Sequence, residues 1–395
     1  MPTQNWQPID SVILSSSFTI TANDIGITIL VSSIQAGLPQ PAPGGVQAGV
    51  MAMNSFLSTM SPVNTAGGSC GGDRGVGASE PQCFPDPQIT AFAAEPQRLP
   101  DAASAYAAVN RAAGAAVPSE PRRWSIWSTA YGGTSRMAGA TSALDARVAG
   151  VVTGLDYHLS RDTLVGFALG GGGTSFGLSG GLGSGKSDMF QAGGYGRHRI
   201  GDGYLSAAAA YGRHWMSSDR IEVNGDRLAA TFSAHNIGAR VESGYRVGTA
   251  VVGITPYAAL QAQWISTPGF DEAVVTGTNL LAINASASST SATRTELGTW
   301  LDRTIAMVNG GLTLRGRAAW AHDAQRGGTI GAAFQLAPAV SLVLRNIDPP
   351  ADLALVSAAA ELRWGDRWSM TAQFDSEFSN SSQTYVGTGS ARYRW

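Results

Sequence analysis

The sequence has few charges, few prolines and no long hydrophobic run, and each shortage excludes a class of protein. Only 14% of its 395 residues are charged and the formal net charge is −2, so it lacks the basic face that a nucleic-acid partner requires. No run of eighteen or more apolar residues occurs, which argues against a transmembrane helix. The two cysteines and five histidines show no ligand spacing, so we predict no metal site and no cofactor.

What the chain does have is period-two alternation of apolar and polar residues. About twelve such segments follow residue 121, and the clearest places Trp368, Met370 and Phe374 on one face with polar residues on the other. Side chains of a strand point to alternate faces. A soluble sandwich would fill its apolar face with Val, Ile, Leu and Phe. Here Ala and Gly predominate, with aromatic residues near the strand ends, which is typical of contact with lipid.

The predicted connections alternate between short and long. The short ones fall at 160–162, 201–203, near 248, 309–311 and 365–366, and the long ones at 135–146, 178–185, 217–227, 267–293 and 323–351. Transmembrane barrels have short periplasmic turns and longer extracellular loops. We therefore predict an all-β fold, a twelve-stranded antiparallel transmembrane β-barrel over residues 121–395, with both of its ends on the periplasmic side.

The polar face of these strands is expected to line the barrel interior. The charged residues expected there are Arg240, Glu242, Arg246, Arg315, Arg317, Glu361, Arg363, Asp375, Glu377, Arg392 and Arg394. Neighbouring carboxylates such as Asp375 and Glu377 are candidates for acid–base chemistry. The inward arginines offer them partners instead, and opposite charges on neighbouring strands are stabilising without catalysis. We predict no enzyme, with a barrel hydrolase as the least favoured alternative.

The last strand ends on aromatic residues, with Tyr393 and Trp395 on one face and Arg392 and Arg394 on the other. Such an ending resembles the signal read by the machinery that assembles outer-membrane barrels. Together with other stretches it resembles the C-terminal translocator domain of autotransporters, the type V secretion proteins. The stretches that carry this resemblance are 124–127, 205–212, 254–257, 314–323, 357–364 and 392–395.

The resemblance implies a location and a set of partners. It implies a barrel in the outer membrane of a Gram-negative cell, in contact with its lipid bilayer, with periplasmic chaperones and with the barrel assembly machinery. It also implies a helix in the pore and an N-terminal passenger that the barrel anchors and carries to the cell surface. An outer-membrane pore or structural barrel without export is the alternative.

The N-terminal third divides into two expected parts. Residues 1–44 are a possible passenger remnant, since 17–31 is strand-like, although an unstructured leftover fits equally well. Residues 1–6 lack the basic start of a secretory signal peptide, so we expect a misassigned start or the remnant of a longer gene. Residues 45–120 form a linker rich in Gly, Pro and Ala that bears helices.

Two segments of this linker are candidates for the pore helix. The Ala-rich segment 101–116 is favoured because it is slim and directly precedes the first strand, and Gly45 to Met60 is the other candidate because its apolar residues recur at helical spacing. Between them, Cys70 and Cys83 are favoured as a disulfide over free thiols, because such a pair closes a small loop in an oxidising compartment.

Overall fold

The computed structural model describes residues 20–23, 26–29, 41–61, 123–138, 143–181, 183–222, 225–249, 251–327, 329–339, 341–345, 349–365 and 367–395. Twelve long strands dominate it. They are β3 (Trp124–Met137), β4 (Leu144–His158), β5 (Thr163–Leu178), β6 (Gly183–Ile200), β7 (Gly203–Ile221), β8 (Arg227–Tyr245), β10 (Gly253–Thr267), β14 (Ser288–Met307), β15 (Gly310–Gly327), β18 (Asp352–Trp364), β19 (Trp368–Phe378) and β20 (Ser382–Arg394).

These twelve strands form a closed antiparallel barrel, as predicted. Each long strand pairs with the next long strand along the chain, and β20 pairs with β3 to close the ring, with Arg394 opposite Ser125. The seam continues to the chain end, where the Trp395 amide donates to the Trp124 carbonyl at 3.1 Å. Closure leaves no unpaired strand edge in the barrel wall, which is the condition for a sheet to cross a bilayer.

Burial alternates along the strands in the predicted register. On β19 the side chains of Trp368, Met370 and Phe374 are exposed on the outer face, whereas Ser369 is buried on the inner face. The outer face is the one that can contact lipid. None of the helices in the described ranges is long and apolar enough to cross a membrane.

The two longest predicted loops contain more structure than expected. β14 already begins at Ser288, β15 continues to Gly327, and short strands form in the remaining residues. They are β11 (Phe270–Asp271), β12 (Ala273–Thr276), β13 (Ile283–Ala285), β16 (Thr329–Phe334) and β17 (Ser341–Arg345), and a further short strand, β9 (Val247–Gly248), lies at the predicted short connection near 248. These strands span only two to six residues each, which is too short for the period-two alternation that identifies the barrel strands.

Four of the short strands form a separate sheet, which we call the cap sheet, in the order β11-β13-β16-β17. It has its own apolar core, in which Phe270, Ile283, Ile330 and Phe334 are buried. The ring of Phe270 stacks on Phe232 of β8 with centroids 4.5 Å apart. Phe232 lies on the inward face of the barrel, so the cap sheet packs over one side of the barrel end that carries the long loops.

The N-terminal part contributes one helix and one small ribbon. Helix α1 spans Pro41–Thr59, four residues earlier than the predicted start, because proline is tolerated in a first turn whose N–H groups have no helical partner. β1 (Ile20–Asn23) and β2 (Gly26–Ile29) pair with each other. The other candidate helix, 101–116, and the cysteines at 70 and 83 lie outside the described residues.

Candidate functional site

Helix α1 lies inside the barrel, in the half of the lumen nearest the long loops. A methyl group at Gly44 would lie 2.6 Å from Cδ2 of Phe176 and 3.1 Å from Leu144, and both of those residues sit at strand ends that carry long loops. Further along the helix, Phe56 is next to Gly170 and Gly193, which are in the middle of their strands. The N-terminus of α1 therefore points to the long-loop end, and its C-terminus lies at mid-barrel.

One half of the lumen wall, formed by β4 to β8, provides a tight seat for the helix. Phe56 is fully buried there, and a methyl group at Gly170 or Gly193 would lie 3.0 or 3.1 Å from its ring. A methyl group at Gly238 would lie 2.8 Å from Cγ of Met53. Glycine at these three positions, which we call the helix seat, is what lets large apolar side chains reach the wall. Complete burial of one such side chain contributes about 1.5–3 kcal/mol.

Three polar contacts fix the helix along the barrel axis. The Oδ1 atom of Asn54 accepts hydrogen bonds from the Nε2 atoms of Gln261, at 2.6 Å, and of Gln263. Asn236 donates to the Gly49 carbonyl at 3.1 Å. Near the start of the helix, Nε2 of Gln47 donates to Oε1 of Gln325, also at 3.1 Å. These bonds connect α1 to β8, β10 and β15, so they hold it at one height in the lumen.

The other half of the wall leaves space beside the helix. A cavity of about 170 Å³ separates one face of α1, with Met51, Asn54 and Ser58, from the inward side chains of strands that include β14, β15 and β19. That side of the cavity includes seven charged residues, which are Arg240, Arg294, Glu296, Arg317, Asp323, Asp375 and Glu377. The lumen is therefore filled by apolar packing on one side of α1 and bordered by charge on the other.

The charged wall is a ladder of buried or half-buried ion pairs. Glu296 connects two arginines, Arg240 at 2.7 Å and Arg317 at 3.8 Å. The other pairs are Arg240 with Glu242, Arg246 with Asp302, Arg294 with Asp323 and Glu377, Arg315 with Glu361, and Arg317 with Asp375, all at 2.7 to 3.2 Å. Opposite charges on neighbouring strands satisfy one another, which lets the wall carry charge away from bulk water.

Of the eleven charged residues expected in the lumen, Glu242, Glu361 and Arg392 are buried and the other eight are half-buried, and the structure adds ion-pair partners that were not expected there. Arg363 and Arg394 are half-buried near the short-turn end. The added partners are Asp156, Arg294, Glu296, Asp302 and Asp323. Arg294 and Glu296 follow the same period-two alternation. They come directly after the predicted loop 267–293, so the alternation there is harder to recognise from the sequence.

A second polar cluster joins the two ends of the barrel sequence. Asp156 is fully buried and accepts hydrogen bonds from Oγ of Ser125 at 2.9 Å and from Nε1 of Trp127 at 3.1 Å. It also contacts the Tyr195 hydroxyl and pairs with Arg392. These residues belong to β3, β4, β6 and β20, so the cluster ties strands on both sides of the closing seam.

The wall under the helix also contains polar atoms without a partner among the described residues. They are Nε2 of Gln191 and both ring nitrogens of His214, which is 1% exposed and lies near Met53. This wall thus combines a close steric fit with polar side chains.

Several known proteins resemble this chain. Residues 126–375 match the Autotransporter beta-domain family. The translocator domain of the autotransporter NalP from Neisseria meningitidis has a TM-score of 0.59 and 16% identity, over 74% of this chain and 96% of that one. The beta domain of the Bordetella autotransporter BrkA has a TM-score of 0.56 and 17% identity, over 69% and 100%. No curated protein sequence matches the chain. At these identities the two structures support the fold alone.

Proposed function

Since the chain belongs to the autotransporter family, we propose that its barrel exports the region N-terminal to α1 and then retains α1 in the lumen. As a member of that family, the protein is an outer-membrane β-barrel that exports a passenger domain. The proposal concerns which residues leave the lumen and which remain. The residues before Pro41 would lie on the cell surface, and α1 would close much of the pore from within.

The observation that carries this proposal is the position and direction of α1. Its N-terminus points to the long-loop end, which is the extracellular end in bacterial barrels. A chain that had remained in the periplasm would have no reason to pass Pro41 through the lumen to that end. The hydrogen bonds that α1 accepts from Asn236 and Gln261 and donates to Gln325 favour one stable resting position.

The polar groups beside the helix support a lumen through which an extended chain can pass. The side chains of Gln191 and His214 lie next to Met53 of α1, and water in an open lumen would hydrogen-bond to them. The charged ladder on the opposite wall also favours passage of a chain. A polar lining offers an unfolded chain few apolar contacts to which it could bind. Export followed by closure fits this combination.

The lumen carboxylates act as ion-pair partners in this proposal. Asp375 accepts from Arg317 and Glu377 from both terminal nitrogens of Arg294, at 2.8 to 3.2 Å. A general acid or base needs a perturbed, available carboxyl group, and these two are engaged. Because both carboxylates are paired with arginines, we propose that the lumen has no catalytic role.

The aromatic end of β20 is proposed as the assembly signal. Tyr393 and Trp395 stack with centroids 6.0 Å apart, and Tyr393 also contacts Trp368. Trp395 is about half exposed, so its ring is available to the assembly machinery before the seam closes. A linker at 45–120 and a passenger remnant at 1–44 are also proposed, although residues 41–44 are part of α1 and would stay in the lumen.

The test is the location of the N-terminal residues in intact cells. The full chain, directed to the periplasm by a signal peptide, would carry an epitope tag before Asn5, and external protease would be added to intact Gram-negative cells. Removal of the tag, with a barrel that migrates differently after heating, is the expected result. A tag that is cut only after the outer membrane is permeabilised would indicate an anchor or pore without export. A periplasmic protein checked in parallel confirms that the cells are intact.

A further inference from the structure

The cap sheet has one edge strand with an open side. β17 pairs with β16, with Leu344 opposite Ile330, and with no other strand of the described residues. At the opposite edge, β11 lies against the barrel through the stack of Phe270 on Phe232. An open edge presents unpaired N–H and C=O groups and is a template for another strand. β17 is thus the edge of the cap sheet at which a strand can add.

Buried contacts anchor the cap sheet to the barrel. Arg220 of β7 is buried and donates to both oxygens of Glu272, with Nε to Oε1 at 2.9 Å. It also pairs with Glu222 and donates to the Leu281 carbonyl at 2.9 Å. Gln335, which follows β16, donates to the Glu272 carbonyl at 2.7 Å. The cap sheet is therefore anchored to the barrel through residues around β11, β13 and β16, and its open edge lies at the long-loop end.

We propose that β17 receives a strand from residues 17–31 of the same chain after export, which extends the cap sheet by β-strand addition. This rests on the proposed function, because those residues must first reach the long-loop end. In strand addition the backbone hydrogen bonds of an edge bind an extended segment. The side chain of Val343 on β17 is 42% exposed, so an added strand would also cover apolar surface.

The N-terminal segment is suited to this site by its reach and its own pairing. Residues 30–40 separate Ile29 from Pro41, and eleven extended residues span at most about 35–40 Å. Ile29 therefore stays within that distance of the start of α1, which lies at the same end of the barrel as the cap sheet. β1 and β2 pair only with each other among the described residues. An isolated two-stranded ribbon is marginally stable in water, so pairing with a preformed edge would stabilise it.

Disulfide trapping in intact cells tests the proposal. Cys70 and Cys83 would be replaced by serine, Val343 by cysteine, and single cysteines placed in turn at each position from 20 to 29. The expected yield of cross-linked protein rises and falls with period two along that scan, because alternate side chains of a strand share a face. The matched control places the fixed cysteine at Val275 of β12, which is also exposed at this end of the barrel and pairs nearby with β8.

Four results distinguish the outcomes. A period-two pattern with Val343→Cys, and a weak, patternless yield with Val275→Cys, would support strand addition. Similar yields at both fixed positions would mean that the segment is merely tethered nearby, and the proposal would be overturned. Labelling with a membrane-impermeant maleimide separates the two proposals. Cysteines at 20–29 that stay unlabelled in intact cells overturn export as well, whereas labelled but uncrosslinked cysteines overturn strand addition alone.

Discussion

The two halves of the lumen wall do different things although their strands share one sequence pattern. The wall of β4 to β8 contacts α1 through small residues and holds Phe56 and Met53 in full burial. The wall centred on β14, β15 and β19 faces a cavity and is cross-linked by ion pairs around Glu296. Stability of the closed state thus comes from steric fit on one side, and integrity of the open barrel comes from charge pairing on the other.

The difference indicates how one barrel can serve both an open and a closed state. Apolar packing against the seat is lost whenever the helix leaves, because both partners must be present. The ion pairs connect wall strands to one another and persist whether or not α1 is seated. Substitutions on the two walls should therefore separate closure of the pore from stability of the barrel.

The largest effect is expected from Phe56→Ala. Truncating a fully buried phenylalanine costs about 3–5 kcal/mol, and here the loss falls on the seated state alone. We expect frequent opening of the full chain in planar-bilayer conductance, with an unchanged heat-modifiable band. Val50→Ala is the matched control, because Val50 lines the cavity on the other face of α1. Equal conductance of the two variants would contradict the asymmetry of the lumen.

Glu296→Gln should destabilise the barrel rather than open the pore. It removes the charge that Arg240 and Arg317 share, and charged hydrogen bonds contribute about 1.5–3 kcal/mol each. The expected result is a lower temperature for loss of the folded band on gels, with conductance like that of the unsubstituted protein. A rise in conductance without loss of thermal stability would show that this wall, too, supports closure.

Gly238→Leu is expected to act on closure more weakly than Phe56→Ala. The atoms nearest to a side chain added at Gly238 belong to Met53 and Leu57 of the helix. Overpacking of this kind destabilises the seated state by about 1–3 kcal/mol. At 1.4 kcal/mol for each factor of ten, that shifts the seated-to-open ratio about 5- to 150-fold. Conductance recordings should show intermediate opening. Gly387→Ala, on the outer face of β20, provides a control that should change nothing, and a similar effect there would remove the steric explanation.

The smallest effect is expected from Asp219→Asn. Asp219 pairs with Arg227 at 2.9 Å, but both side chains are 40% or more exposed, and exposed pairs contribute about 0–1 kcal/mol. The folded band should be lost at nearly the temperature of the unsubstituted protein. A destabilisation as large as that of Glu296→Gln would contradict this expectation. It would mean that an ion pair inside the lumen contributes no more to stability than an exposed one.

Much of the barrel follows from the sequence because period two is a local property. The strand faces around Trp368 and Met370 could be assigned from neighbours alone, and so could the inward position of Arg317. The choice of pore helix could not, because the segments 45–60 and 101–116 both carry helical patterns, and only the fit of Phe56 against the glycines of distant strands places the first in the lumen.

The cap sheet and the polar cluster around Asp156 could not be predicted from the sequence for a similar reason. The cap sheet joins β13 to β16, which lie in two loops separated by the whole of β14 and β15. The cluster around Asp156 draws side chains from four strands, including Arg392 from the last one. Such contacts depend on closure of the ring, and no local pattern encodes which residues closure brings together.

The most direct measurement combines the position of the helix with the direction of the chain. Met53→Cys and Gly238→Cys would be introduced together in a chain whose Cys70 and Cys83 are serine, with the tag before Asn5. A methyl group at Gly238 lies 2.8 Å from Met53 Cγ, so a disulfide can form only when α1 is seated. We predict that cross-linked molecules on intact cells lose the tag to external protease. Cross-linked molecules whose tag remains protected would contradict export through this lumen.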